Sequence, residues 1–237
     1  MVCHATGNDL TPTLFPMVLS VVATPIGNLS DLSERAKAVL ASVQTILCED
    51  TRVTRKLLER IGVSTPTLVS YHQHSDAAAV KHILRLFEEG QDLALVTDAG
   101  TPGISDPGGK LIHALLAHFG DAIRIVPIPG PSAIIAALSI CGIPADKFIF
   151  LGFPPHKNGR KAFFDRLLSY DLTIVFYEST HRILKTLAEI AARDPARHLV
   201  VCRELTKLHE RIYRGTALEV TTQLESSSIK GEFVVVL

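Results

Sequence analysis

A chain of 237 residues, of which 47% are hydrophobic and 6% aromatic, can bury one large core or two small ones. Its 24 Lys and Arg balance its 24 Asp and Glu, which excludes a general polyelectrolyte role. No apolar run approaches the roughly 18 residues that a membrane-spanning helix needs. The ten His residues show no ligand spacing, and HExxH is absent, so we expect no bound metal. We expect a cytoplasmic α/β protein.

Charge is unevenly distributed between the two halves of the chain. Residues 1–150 hold 11 Lys and Arg against 14 Asp and Glu, and residues 151–237 hold 13 against 10. This mild basic bias in the second half is compatible with an anionic partner.

The four cysteines form no CxxC pair, and Cys48, Cys141 and Cys202 lie in apolar runs, which predicts buried thiols in a reducing compartment.

Strand and helix patterns alternate in the first half. Residues 1–16 lack the basic start and apolar core of a signal peptide, and we expect them to be a disordered extension. Short apolar runs predict strands at 17–23, 45–48, 67–71, 93–97 and 122–127. Helical patterns follow these strands, the last at 133–138. Such alternation predicts right-handed βαβ units and a mainly parallel sheet, in an N-terminal α/β domain of residues 17–142.

A segment with Gly142 and Pro144 predicts a linker before a second α/β domain of residues 148–237. This domain begins with the segment 148–154, and its predicted strands are 172–177, 198–202 and 232–237, with a short strand or hairpin edge at 212–215. A basic amphipathic stretch lies at 157–166. One helix is predicted after the segment 176–182 and ends at about residue 192, and a second is predicted at 217–224.

The connection after the fourth strand, at 98–109, is dense in Gly, Pro and Asp. Its glycines permit sharp turns and the close approach of a ligand. Asp106-Pro107 is typical of a helix N-cap followed by Pro at the first helical position. Ligands of parallel sheets bind beyond the carboxyl ends of the strands, where this loop is expected. GxGxxG after the first strand and GxxxxGK[ST] are both absent, which disfavours dinucleotide redox chemistry and P-loop phosphoryl transfer.

The segment DAGTPGISDPG at 98–108 resembles the D-A-G-x-P-x-[IVL]-S-D-P-G signature of a branch of the tetrapyrrole-methylase-fold superfamily. Further segments resemble that branch in the same order, at 24–29, 49–52, 70–72, 129–133, 176–182, 203–210 and 230–232. Together they cover residues 18 to 237. The branch is the family of bacterial 16S ribosomal RNA ribose 2′-O-methyltransferases I, which use S-adenosylmethionine and methylate a cytidine in the decoding centre.

The resemblance implies two α/β domains with S-adenosylmethionine in the cleft between them, a homodimer, and the small ribosomal subunit as partner. If the resemblance is set aside, the sequence predicts that Ser132 is a helix N-cap and that Phe153 is a core residue. The cofactor-binding residues that the resemblance implies are Pro25, Asp98, Ala99, Gly100, Ile104, Asp106, Ser132, Ala133, Phe153, Leu205 and Gly231.

A ribose 2′-hydroxyl is a poor nucleophile at neutral pH, so a base or an oriented hydrogen-bond acceptor would help. Each candidate could equally cap a helix or form an ion pair, and the sequence does not choose among them. The candidate bases at strand ends are Glu49, Asp50, His72, Glu178 and Glu204. The candidate contacts to RNA phosphates are Arg52, Arg182, Arg203 and Lys207.

Two features depart from the family pattern. Thr180 stands where the branch usually has Pro, and family members usually continue past the final strand with a small helical segment, whereas this sequence ends at Leu237. RNA contacts carried by that segment are expected to be missing. The alternatives are a tetrapyrrole-precursor or diphthine-type methyltransferase, against which segments 49–52 and 203–210 argue, and a non-catalytic RNA-binding protein on the same fold.

Overall fold

A computed structural model describes residues 17–64 and 66–237, and the expected extension at 1–16 lies outside this range. Helices and strands alternate in the first half as the sequence predicts. The strands are β1 (Met17–Val22), β2 (Thr45–Cys48), β3 (Thr67–Ser70), β4 (Leu93–Leu95) and β5 (Ile123–Ile128). The helices are α1 (Glu34–Ser42), α2 (Thr51–Ile61), α3 (Ala77–Glu88), α4 (Gly109–Phe119) and α5 (Ala133–Cys141).

The first sheet is parallel throughout, with strand order β3-β2-β4-β1-β5. The connections from β1 to β3 run one way across the sheet, and those from β3 to β5 run back. Because parallel crossovers are right-handed, the reversal puts α1 and α2 on one face and α3 and α4 on the other. Leu40 and Leu58 accordingly pack in one core cluster, while Ile83 and Leu115 pack in a second.

The second half forms a mixed sheet of order β6-β7-β10-β8-β9, in which β6 and β7 are parallel and the other pairs antiparallel. Its strands are β6 (Phe148–Phe150), β7 (Thr173–Ser179), β8 (His198–Arg203), β9 (Arg211–Thr216) and β10 (Glu232–Val236). Its helices are α6 (Arg160–Leu167), α7 (Ile183–Ala191) and α8 (Ala217–Glu225).

Helix α5 precedes the predicted linker but packs on the second sheet. Its Ile134 and Leu138 are buried in one cluster with Val175 and Val234, whereas α6, α7 and α8 cover the other face. Both faces of the second sheet are therefore covered by helices. The division of the chain into 17–142 and 148–237 stays a prediction, since α5 joins the two halves.

At the starts of α4 and α5, the predicted side-chain caps do not form. Helix α4 begins at Gly109 with Gly108 at its N-cap (φ 150°), so the prediction that Asp106 caps this helix is wrong. Ser132 does occupy the N-cap of α5, but its side chain makes no capping hydrogen bond. Side-chain caps do form at α1, α2, α3 and α8, for example Ser33 accepting from the N–H of Ala36.

The predicted burial of Cys48, Cys141 and Cys202 is confirmed, and all three are free thiols. Within the described ranges, the helices are too short or too polar to cross a membrane.

Candidate functional site

A cleft of about 480 Å³ lies between the two halves, at the carboxyl edge of the first sheet. This volume is within the range of small-molecule sites, about 300 to 1,000 Å³. Ten of the eleven residues that the sequence predicted for the cofactor line it. Pro25 does not, and its neighbour Ile26 takes its place. The ten are Asp98, Ala99, Gly100, Ile104, Asp106, Ser132, Ala133, Phe153, Leu205 and Gly231. Their contact with a cofactor stays a prediction.

The wall formed by the first half is held together by hydrogen bonds between its loops. Thr24 and Gly100 exchange backbone bonds of 2.9 and 3.0 Å, and the buried Thr24 hydroxyl donates to the carbonyl of Thr97 over 3.1 Å. The Thr101 hydroxyl donates to the carbonyl of Pro131 over 3.3 Å. The loops after β1, β4 and β5 therefore form one fixed surface, with Gly100 in the left-handed region (φ 87°).

Two carboxyl groups lie on this wall. Asp98 accepts a hydrogen bond of 3.2 Å from the N–H of Asp50, yet burial raises its pKa. Burial, with the nearby Glu49 carboxylate, raises the pKa of Asp106 to about 6. A cationic or hydrogen-bond-donating ligand would relieve the cost of ionising these groups, so the wall suits such a ligand.

The wall formed by the second half carries packed aromatic rings beside polar and charged side chains. Phe153 is 52% exposed, and its ring centroid lies 5.3 Å from that of Tyr177, which in turn packs against Phe150 at 5.1 Å. Burial raises the pKa of Tyr177 to about 12, so its hydroxyl stays protonated. Tyr177 lines the cleft but was not among the residues predicted for it, although it lies inside the segment 176–182 that carried the resemblance. Phe153 is not a core residue.

The loop after β8 closes one end of the cleft. Its backbone is unusual, because Glu204 (φ 53°) and Thr206 (φ 65°) adopt left-handed conformations without being glycine. Such conformations cost energy and are found where the surrounding structure enforces them, often at functional sites. The backbone N–H of Thr206 donates to the Glu210 carboxylate over 2.6 Å, and the Thr206 hydroxyl oxygen accepts from the N–H of Asn28 in the first half over 3.2 Å.

Three of the five candidate bases do not line the cleft. Asp50 caps α2 and binds Arg52, whose hydrogen bonds lower the Asp50 pKa to about 2. Glu49 accepts a bond of 3.1 Å from the Thr97 hydroxyl, and His72 is exposed beyond β3. Among the described residues, no group of three or more His, Cys, Asp and Glu is arranged to hold a metal.

Glu178 does line the cleft, but its carboxylate is buried in an ion-pair network. It lies 2.8 Å from the guanidinium of Arg182 and 3.9 Å from that of Arg160, and it accepts a bond of 2.6 Å from the Thr186 hydroxyl. The two arginines also donate to the carbonyls of Pro154 and Pro155. The network thus fixes the turn that carries Phe153.

Glu204 also lines the cleft, at the strained loop. It accepts bonds from Lys207 Nζ at 2.9 Å and from the N–H of Glu232 at 3.0 Å. Burial alone would raise the pKa of Glu204, but these two donors outweigh it and leave the pKa lowered. Glu204 is therefore an ionised acceptor at neutral pH.

The four candidate RNA contacts fall into two pairs. The guanidinium groups of Arg182 and Arg203 are turned inward, Arg203 binding the carbonyls of Lys230 and His209. This geometry does not support phosphate contact by either residue. Arg52 is exposed on α2, and Lys207 lines the cleft beside Glu204.

Solved structures with this fold include cobalt precorrin-4 methyltransferase, a cobalamin biosynthetic enzyme (20% identical, TM-score 0.66, covering 96% of this chain and 97% of that one). A uroporphyrin-III C-methyltransferase from Thermus thermophilus, solved with S-adenosyl homocysteine, is 16% identical (TM-score 0.61, 93% and 96% covered). The sequence pattern described as Tetrapyrrole (Corrin/Porphyrin) Methylases matches residues 18–221. Fold and pattern together define the tetrapyrrole methylase class.

Comparison with curated relatives identifies the family within this class. Proteins named Ribosomal RNA small subunit methyltransferase I are 44% identical in Xylella fastidiosa (94% of this chain, 81% of that protein) and 40% identical in Thermotoga maritima (92% and 97%). The one from Hydrogenobaculum is 44% identical, with 93% and 95% covered. The chain belongs to the ribosomal RNA small subunit methyltransferase I family.

Proposed function

We propose that the cleft binds S-adenosylmethionine and that the protein transfers its methyl group to the ribose 2′-hydroxyl of a cytidine in the decoding centre of 16S rRNA. The relatives' names support a small-subunit rRNA substrate. The observation that supports the proposal most is the cleft, in which a fixed wall with two carboxyl groups faces a wall with an exposed aromatic ring.

The residues of the cleft fit this cofactor. S-adenosylmethionine supplies an electrophilic methyl group on a sulfonium centre, and it carries an ammonium group, ribose hydroxyls and an adenine. Asp98 and Asp106 suit the cationic and hydroxyl groups, while Ile26 and Leu205 suit the adenine. Backbone groups around Gly100 and Ser132 can bind polar edges without a side chain.

Transfer to a hydroxyl is an in-line displacement, so most of the required acceleration comes from positioning two groups in a fixed geometry. The two groups are positioned by two rigid parts of the cleft. These are the hydrogen-bonded loops of the first half and the turn at Phe153, which the Glu178 network holds in place. Of the two candidate bases that line the cleft, Glu178 is buried in its ion-pair network, whereas the Glu204 carboxylate is partly exposed and ionised. We assign it the role of orienting the hydroxyl by accepting its hydrogen bond.

The test is transfer of labelled methyl groups from S-adenosylmethionine to small ribosomal subunits purified from cells that lack the modification. The proposal expects label in 16S rRNA. Label in tetrapyrrole precursors, or in a protein acceptor, with none in rRNA would establish one of the alternative methyltransferases. RNA binding without any calorimetric heat from S-adenosylmethionine would establish the non-catalytic alternative.

We also propose that the protein acts as a homodimer. The apolar helix α5 leaves Ile135 56% exposed and Ile140 41% exposed, which is compatible with a further partner surface. Light scattering on the purified chain gives the mass directly, and a monomer at micromolar concentration would contradict this part of the proposal.

A further inference from the structure

Helix α2 carries most of its charge on one side. Arg52, Arg55, Lys56 and Arg60 are exposed, and at 100° per residue they fall within an arc of about 140°. Thr54 and Leu58, on the opposite side, are buried against the first sheet. We name the four basic residues the cationic face; Glu59 is the single acidic residue among them.

The cationic face is poorly neutralised. Within the described residues, Arg55, Lys56 and Arg60 take part in no ion pair, and the Arg52–Asp50 pair is at the surface, with 83% of the Arg52 side chain exposed. Exposed ion pairs contribute little to stability, so an incoming phosphate can replace Asp50 at Arg52. A chain of formal net charge zero therefore concentrates positive charge on three turns of one helix.

The cationic face begins at the rim of the cleft. Asp50, the N-cap of α2, donates its N–H to the carboxylate of Asp98, and Asp98 lines the cleft. The N-terminus of a helix adds a positive partial charge at the same place. Arg52, Lys56 and Arg60 follow at intervals of four residues, each about 6 Å further from the rim.

We propose that the cationic face binds the phosphate backbone of the rRNA substrate and aligns the strand that enters the cleft. This inference rests on the proposed function, because it takes the substrate to be RNA. Contacts to phosphates fix register and orientation without reading sequence, which suits a row of flexible cations. The residues of the cleft then select the nucleotide that is methylated.

The test compares two double variants of the full chain that remove the same charge. Lys56→Gln/Arg60→Gln alters the cationic face, and glutamine keeps the helix propensity of lysine and arginine. Arg124→Gln/Lys147→Gln is the control, since both residues are exposed at the opposite, amino ends of β5 and β6. The probe is unmodified 16S rRNA in small subunits, and its binding is measured across a salt series.

The α2 variant is expected to bind more weakly and to lower the slope of log K against log salt by about 1.4, at roughly 0.7 per lost phosphate contact. The control variant should keep the wild-type slope, and both should keep wild-type affinity for S-adenosylmethionine. Equal losses in both variants, or no loss in either, would overturn the inference. If the wild type binds this RNA through α2 but transfers no methyl group, the proposed function fails and the surface assignment stands.

Discussion

The backbone N–H of Asn28 donates to Thr206 Oγ1 over 3.2 Å and ties the first half of the protein to the second across one end of the cleft. Next to this bond, a Cβ on Gly27 would overlap Lys207 Cγ and lie 2.7 Å from Thr206 Oγ1. The width of the cleft therefore depends on the absence of a side chain at residue 27.

Gly27→Ala is expected to force the loop after β1 away from the loop after β8 and to weaken S-adenosylmethionine binding about tenfold or more, with a small change in Tm. Isothermal titration calorimetry measures the affinity. Gly109→Ala is the matched control, because a Cβ there meets nothing within 4 Å. Wild-type affinity in the Gly27 variant would show that the cleft tolerates the extra methyl group.

Asp98→Asn keeps the shape of the side chain and an acceptor for the N–H of Asp50, but removes the negative charge from the cleft wall. A lost hydrogen bond to a charged group costs about 1.5 to 3 kcal/mol, so S-adenosylmethionine affinity should fall about 10- to 100-fold. Asp121→Asn, at an exposed turn, controls for net charge. Unchanged affinity in the Asp98 variant would mean that the cofactor binds elsewhere.

Asp106 should leave a signature in the pH dependence of stability. Its pKa is about 6 in the folded protein and 3.8 ordinarily, so the folded state holds the proton more tightly than the unfolded state does. Stability contributed by this group is therefore present below pH 3.8 and lost as pH rises through 6. Because Asp106 is only partly buried and solvent screens its charge, the loss is about 1 to 2 kcal/mol, less than the full change in pKa would give.

Denaturant titrations of the wild type and of Asp106→Asn between pH 4 and 7.5 measure this effect. The free energy of unfolding of the variant should rise relative to that of the wild type as pH increases, since asparagine does not ionise. A constant difference over this range would place the Asp106 pKa near its ordinary value.

Glu178→Gln separates a structural role from a catalytic one. The substitution leaves the Arg160 and Arg182 guanidinium groups facing a neutral side chain in the protein interior, and breaking a buried pair costs about 3 to 5 kcal/mol. We expect a large drop in Tm and a pH–rate profile of the same shape as that of the wild type. A stable variant whose acidic limb of kcat is lost would instead identify Glu178 as the base.

The sequence predicts the site well wherever position along a strand decides it. The loops around Pro25, Asp98 and Ser132 follow parallel strands, and parallel strands end at one edge of the sheet. Their meeting follows from the alternation of strands and helices, and the structure confirms that edge. The prediction is one residue off at the first loop, where Ile26 lines the cleft and Pro25 does not. The position of a turn in the sequence does not show which of its residues faces inward.

What the sequence could not supply depends on partners distant in the chain. The burial of Glu178 requires Arg160 and Thr186, which reach it from α6 and α7. The start of α4 is set by the backbone of Gly108, and the Asp106-Pro107 pair mimics a cap without acting as one. Likewise, α5 packs on the second sheet, a tertiary preference that its uniformly apolar sequence does not encode.

The chemical identity of the methylated nucleoside tests the central claim most directly. After reaction with unmodified small subunits, 16S rRNA is digested to nucleosides, and the labelled species is identified by mass spectrometry and mapped to its position. The account predicts 2′-O-methylcytidine at one nucleotide of the decoding centre, formed at least about tenfold more slowly by the Asp98→Asn variant at limiting cofactor. Label on a base, on another nucleotide or on no nucleoside would contradict it.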